Sequence, residues 1–303
     1  MPDAVSLVRR WGEMIKFSHS VFALPFALMA AFLAARAAHQ AGHFAHPWPS
    51  AAQGLLIVGC MVAARSAAMT FNRIVDAALD ARNPRTAGRA IPAGVISPRQ
   101  ARLFLGASSM LFVVCCGGFF ILDGNRLPIL LSIPVLLYLC LYSYTKRLTR
   151  WSHFVLGSAI AFSPVAAWIA IHPASVGWPV VVLMAAVTLW IAGFDVIYAC
   201  QDLAFDRSAG LHSLPAALGP ARALWIARAA HAGTVLLLVL LGNLTGLGRL
   251  YFAGTGLVAV LLLYENLLVR ADDFSRVNLA FFTVNGAISV LLAVLTILDV
   301  LTR

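Results

Sequence analysis

Two stretches of the chain concentrate side chains that can do chemistry. In the first, Asn72, Asp76 and Asp80 follow one another at i, i+4 and i+8. In the second, Asp195, Asp202 and Asp206 stand at i, i+7 and i+11. On an α-helix either spacing lines the side-chain oxygens along one face. The chain has only 12 acidic residues and five fall here, so these faces are not a by-product of an acidic surface. Oxygen-rich faces suit a hard cation such as Mg²⁺, which commonly bridges a few carboxylates and a substrate phosphate. Arg85 and Arg89 follow the first stretch, and a Lys146-Arg147 pair precedes the second. Carboxylates, Mg²⁺ and arginine together are a recurrent way of holding a diphosphate. Each stretch also ends a long apolar run, so the diphosphate expected is one with a hydrocarbon tail, a prenyl diphosphate. The alternative is that the acids only form salt bridges with loop arginines; ionisable residues at a membrane edge favour the functional reading.

The elements that must position these faces are membrane spans. The chain is 61% hydrophobic and 11% charged, and it repeatedly exceeds the ~18 apolar residues that mark a span. A soluble domain is excluded, and membrane lipid is the surrounding medium. The net charge of +10 does not indicate nucleic acid, because the basic residues alternate with the apolar runs instead of forming one patch. Nine spans are expected, near 17–38, 51–72, 100–122, 127–145, 151–171, 176–197, 222–242, 249–269 and 277–300, with Pro25 inside the first. Residues 1–16 carry both signs of charge and no apolar core, so they read as an interfacial amphipathic segment and not a signal peptide.

Orientation follows from the 22 Lys and Arg. Only Arg36, Arg126, Arg249 and Arg303 fall on one side, and Arg65 and Arg228 lie within spans; the other sixteen share the side of the acidic stretches. The positive-inside rule then places the N-terminus and both stretches in the cytoplasm of a bacterial-type inner or cell membrane. Spans 2 and 6 each end in an acidic stretch and a long polar loop, four spans apart. The expected fold is therefore an all-α membrane bundle of nine transmembrane helices, in two pseudo-equivalent four-helix units plus one. The loops 73–99 and 198–221 would cap it on the cytoplasmic side, and residues 1–303 would form a single domain.

The stretch 72–94 (NRIVDAALDARNPRTAGRAIPAG), the Tyr144-Thr145-Lys146-Arg147 link and the stretch 195–215 (DVIYACQDLAFDRSAGLHSLP) resemble the UbiA superfamily of intramembrane aromatic prenyltransferases. The resemblance is greatest to the branch acting on 4-hydroxybenzoate. Residues 17–26 (FSHSVFALPF) resemble its menaquinone-side relatives, which act on a dihydroxynaphthoate. It implies a polyprenyl diphosphate donor, an aromatic acid acceptor and two Mg²⁺ ions held by Asn72, Asp76, Asp80, Asp202 and Asp206. Lys146 and Arg147, and less directly Arg85 and Arg89, would bind the departing diphosphate. Tyr198, one turn before Asp202, would stabilise the allylic cation through its ring, or be an ordinary interfacial tyrosine.

Arg65 and Asp195 each lie seven residues before a ligand, Asn72 and Asp202, about 10 Å deeper at the helical rise. They are expected to pair, and Arg65 to receive the acceptor's carboxylate. His212 and Ser213 match the family's second motif and read as loop-packing or capping residues as readily as substrate contacts. His39, His43 and His46 have spacings that can bind zinc, but with no Cys or acid nearby an exposed loop is expected. The five cysteines are expected as buried, unpaired thiols. Two other readings compete. One keeps the superfamily and takes a haem or chlorophyll-type acceptor. The other is an ion-coupled transporter, disfavoured because its site would lie near the midplane rather than at span ends.

Overall fold

The computed structural model describes residues 11–15 and 22–303, and among these it is helical with no strand. The long helices are α1 (Leu24–Gln40), α2 (Ala51–Val75), α3 (Pro98–Asp123), α4 (Leu127–Leu141), α5 (Ser152–Ile171), α6 (Trp178–Ala199), α7 (Pro220–Thr245), α8 (Arg249–Leu268) and α9 (Asn285–Leu301). Among the described residues, eight helical segments are long and apolar enough to cross a membrane. α1, with 17 residues, falls just short of that length, and the start of the expected first span lies outside the described residues. Pro25 belongs to the first turn of α1, where its missing N–H costs no helical hydrogen bond, rather than to a helix interior. Of the expected interfacial segment, only residues 11–15 are described. They are mostly helical, and Trp11 stacks on Phe104 at 4.4 Å between centroids.

Helix starts follow local chemistry. Ser97 and Gln100 form a reciprocal capping box at α3, and Ser50 and Gln53 exchange the same pair of bonds at α2. Between the spans the polar connections also contain short helices: Ala77–Arg82 after α2, and Leu203–Ser208 and Leu214–Leu218 after α6.

Contacts sort the chain into two compact units. The smaller holds Val58–Ser143 with the described part of the first twenty residues, and the larger holds Val21–Ile57 with Tyr144–Arg303. This division differs from the expected four-plus-four-plus-one: α1 packs with the later helices, against α5 and α9. In the smaller unit Ala63 and Ala67 of α2 pack against Phe112 and Cys116 of α3 and Leu136 of α4. In the larger unit α6 is the central helix and the most buried candidate span, flanked by α5 and α7. The α5–α6 approach depends on Gly157: a Cβ there would overlap the Thr188 carbonyl oxygen, so no other residue allows the helices so close.

At the ends of the spans away from the acidic stretches, arginines finish α7. Arg36 reaches the carbonyls of Thr245 and Gly246, and Arg303 donates to Gly246 at 2.6 Å. Cations suit a helix C-terminus, which gives two of the sparse basic residues on that side a structural task. The histidine loop is open, as expected. His39 bonds the Phe44 carbonyl, His43 contacts His172 at 3.0 Å, and His46 stacks on Trp48. All five cysteines are free thiols; Cys116 and Cys200 are buried, the others half-buried.

Candidate active site

In the smaller unit, α2 stops at Val75, Asp76 turns the chain, and a second helix resumes over Ala77–Arg82. The break preserves the i+4 relation from Asp76 to Asp80. Asn72 donates its Nδ2 hydrogen to Asp76 Oδ2 at 2.8 Å, so these two expected ligands are already juxtaposed. Asp80 is buried and accepts from Arg89 at 2.6 Å through Oδ1; its Oδ2 lies 3.9 Å from the buried Arg73. Arg89, expected to face diphosphate, thus stands beside the carboxylate of Asp80, itself an expected ligand. Arg73 was not singled out in the sequence, and it also donates to the Met14 carbonyl at 3.4 Å. Arg85 is exposed on the turn that follows, its N–H held by Asn83. Arg65 is two turns deeper in α2 than Asn72 and half-buried.

The larger unit repeats the device. α6 ends at Ala199, a 3₁₀ turn covers Cys200–Asp202, and the chain resumes as a helix over Leu203–Ser208. Asp202 is 8% exposed and Asp206 fully buried. Lys146 Nζ approaches Asp206 Oδ1 to 2.8 Å. Arg147 is exposed, with its guanidinium 5.5 Å over the Tyr144 ring. The half-buried Tyr198 lies 4.3 Å from Phe281 in a cluster with Phe194 and Phe22. His212 is held through its backbone: its N–H donates to the Lys146 carbonyl at 2.7 Å and its carbonyl accepts from Ser152. Ser213 is fully buried and caps Leu214–Leu218 by accepting from Ala216 N. Capping is therefore the role the structure gives Ser213.

Two polar groups escaped the sequence reading. His153, one residue into α5, lies with Nδ1 2.6 Å from Asp195 Oδ2. Further along, Trp190 Nε1 donates to Asn285 Oδ1 at 2.7 Å, and Asn285 Nδ2 donates to the buried Glu265 at 2.9 Å. Asn285 also bonds the Ala280 carbonyl across a π-helical turn, Ala280–Val284. The only sequence signal for Glu265 is a lone acid inside an apolar run.

A divalent cation fits these carboxylates. Asp80 Oδ2 and Asp206 Oδ2 are buried and receive no hydrogen bond, which is costly for an oxygen meant only for salt bridging. Among the described residues no three His, Cys, Asp or Glu side chains converge on one point.

The family model described as the UbiA prenyltransferase family matches residues 23–289. A 4-hydroxybenzoate octaprenyltransferase of Aeromonas salmonicida is 30% identical over 227 residues, covering 74% of this chain and 75% of that protein. The apo structure of a UbiA homolog from Aeropyrum pernix K1 superposes with a TM-score of 0.76 at 29% identity, over 94% of this chain and 97% of that one. A UbiA homolog from Archaeoglobus fulgidus, solved bound to GPP and Mg²⁺, shares the fold at a TM-score of 0.70 and 19% identity, over 97% and 100% of the two chains.

Proposed function

The chain belongs to the UbiA prenyltransferase family, and from that premise we propose that it transfers a polyprenyl group from polyprenyl diphosphate to an aromatic carboxylic acid in quinone biosynthesis. The acceptor is 4-hydroxybenzoate, as for the named relative, or a dihydroxynaphthoate. The charge asymmetry of the loops supports a cytoplasmic position for the acidic ends. One observation carries the reading: each unit ends a span in a buried aspartate, Asp80 or Asp206, with a cation of the same unit beside it and at least one oxygen left without a hydrogen bond. Family membership sets aside the transporter reading.

Asn72, Asp76, Asp80, Asp202 and Asp206 would hold Mg²⁺, which when bound makes the diphosphate a better leaving group. Lys146, Arg147, Arg85 and Arg89 take up the negative charge as the allylic C–O bond breaks and the diphosphate departs. The electron-rich ring of the acceptor attacks the allylic carbon, a C–C bond forms and the ring proton is lost. Tyr198 offers its ring face to the positive charge. Arg65 binds the acceptor carboxylate, and Asp195 lies on the acceptor side of the site. The loops 73–99 and 198–221 keep water from the cation.

The test is a panel of aromatic acids given to purified protein with one labelled polyprenyl diphosphate and Mg²⁺, with products identified by mass. Prenylated hydroxybenzoate or dihydroxynaphthoate is expected. A product only with a porphyrin-type acceptor would overturn the acceptor assignment.

A further inference from the structure

Asp195 does not stand alone in the larger unit. Its Oδ2 contacts His153 Nδ1 at 2.6 Å, and the other ring nitrogen, Nε2, accepts the N–H of Leu214 at 3.3 Å. A nitrogen that accepts a hydrogen bond carries no proton, so the ring is neutral and its one proton is donated from Nδ1 to the carboxylate. The His153 side chain is 3% exposed and that of Asp195 22%. Oδ2 is thus engaged by the ring.

The position of the ring is built into the helices. His153 and Gly157 are one turn apart on α5, and Thr188, Ala192 and Asp195 fall on one face of α6. The close contact at Gly157 against Thr188 and Ala192 brings His153 onto Asp195. From His153 the contacts continue through Leu214 into the second polar loop. There His212 N–H is fastened to the Lys146 carbonyl, and Lys146 in turn holds Asp206. Ser152, next to His153, adds a bond to the His212 carbonyl at 3.4 Å.

We propose that His153 is a positioning residue: its neutral imidazole joins Asp195 to the 211–214 loop and so holds the acceptor-side carboxylate in register with the Lys146–Asp206 pair. The assignment of Asp195 to the acceptor side rests on the reading given above. A histidine that merely filled the α5–α6 seam would need its volume and not its two hydrogen bonds.

Two substitutions of similar bulk separate these roles. The amide of His153→Gln can donate to Asp195 and accept from Leu214; His153→Leu can do neither. With purified full-length protein, His153→Leu is expected to raise the KM of the aromatic acceptor by about tenfold or more, the worth of a hydrogen bond to a charged group. The KM of the polyprenyl diphosphate should stay within about twofold, and His153→Gln should restore the acceptor KM. Equal behaviour of the Leu and Gln variants, or equal rises in both KM values, would overturn the proposal. A second readout needs no turnover: tryptic cleavage after the exposed Arg207 is expected to speed up in His153→Leu and return to the wild-type rate in His153→Gln. If the wild-type protein prenylates no aromatic acid while cleavage follows this pattern, the acceptor reading fails and the joint stands. Cleavage unchanged in His153→Leu removes the joint whatever the acceptor is.

Discussion

Asp76 and Asp202 share one backbone conformation: φ −91°, ψ 3° at Asp76 and φ −95°, ψ 5° at Asp202. Both occupy the sparsely populated bridge region, where active-site residues are often found. Each is followed by a six-residue helix whose fourth residue is a buried aspartate. The two acidic stretches are therefore alike in backbone shape as well as in sequence. Replacing either turning aspartate by asparagine keeps the shape and removes a charge. Asp76→Asn and Asp202→Asn are each expected to lower turnover by roughly a hundredfold or more, with helical content unchanged by circular dichroism. Near-normal turnover in either folded variant would take that residue out of the metal set.

Lys146 tests what the cation beside each aspartate is for. Its ammonium group is 2.8 Å from a fully buried carboxylate oxygen. Lys146→Met should raise the donor KM by about tenfold or more, since a charge-assisted bond to diphosphate is lost. Titrating Mg²⁺ distinguishes the tasks: full recovery at high Mg²⁺ would make Lys146 a counter-ion of Asp206 only.

Arg65 is proposed to receive the acceptor's carboxylate. Lysine keeps the charge but loses the planar fork, so Arg65→Lys should raise the acceptor KM and leave the donor KM nearly unchanged. The check is steady-state kinetics with each substrate varied in turn; a rise confined to the donor KM would reject the assignment.

The loops 73–99 and 198–221 are expected to close over the site. Single cysteines at exposed positions, Arg82 in the first loop and Ser208 in the second, should react with a water-soluble maleimide more slowly once donor and Mg²⁺ are added. Unchanged rates in both loops would remove the cap.

At the other ends of the spans, His43 Nδ1 and His172 Nε2 lie 3.0 Å apart, a spacing that needs a proton on one nitrogen only. Burial, and then the neighbouring His43, hold His172 below its ordinary 6.5. A base with a lowered folded pKa favours the fold when neutral, so this contribution is present above about pH 6.5 and is lost as pH falls through the folded value. Wild-type protein should lose thermal stability on acidification below that point, and His172→Gln should lose less. Equal slopes in the two proteins would show that the pair does not matter to folding.

Much of this was legible in the chain because it depends on single runs and spacings. Apolar length gives the spans, and the i, i+4 register gives Asn72, Asp76 and Asp80 their common face. The pairings were less legible, because they depend on how close two helices come. His153 reads as one polar residue at the start of an apolar run; its role exists only because Gly157 lets α5 touch α6. Arg89 meets Asp80 across nine residues because the chain turns back after Arg82, and no periodicity reports that turn. The grouping of α1 with the later helices likewise follows from packing and has no local signal.

The Trp190–Asn285–Glu265 chain of hydrogen bonds has a consequence for biosynthesis. Its members lie on α6, α9 and α8, and Asn285, which bonds both of the others, is made last. During synthesis α8 therefore enters the bilayer with a carboxyl group whose carboxamide partner has not yet been made, and a lone acid in lipid is costly. The insertion of α8 should become secure only when α9 follows it. A chain stopped before Asn285 would leave Glu265 without that bond, and membrane quality control should recognise and remove it sooner than a chain carrying Glu265→Gln and stopped at the same point.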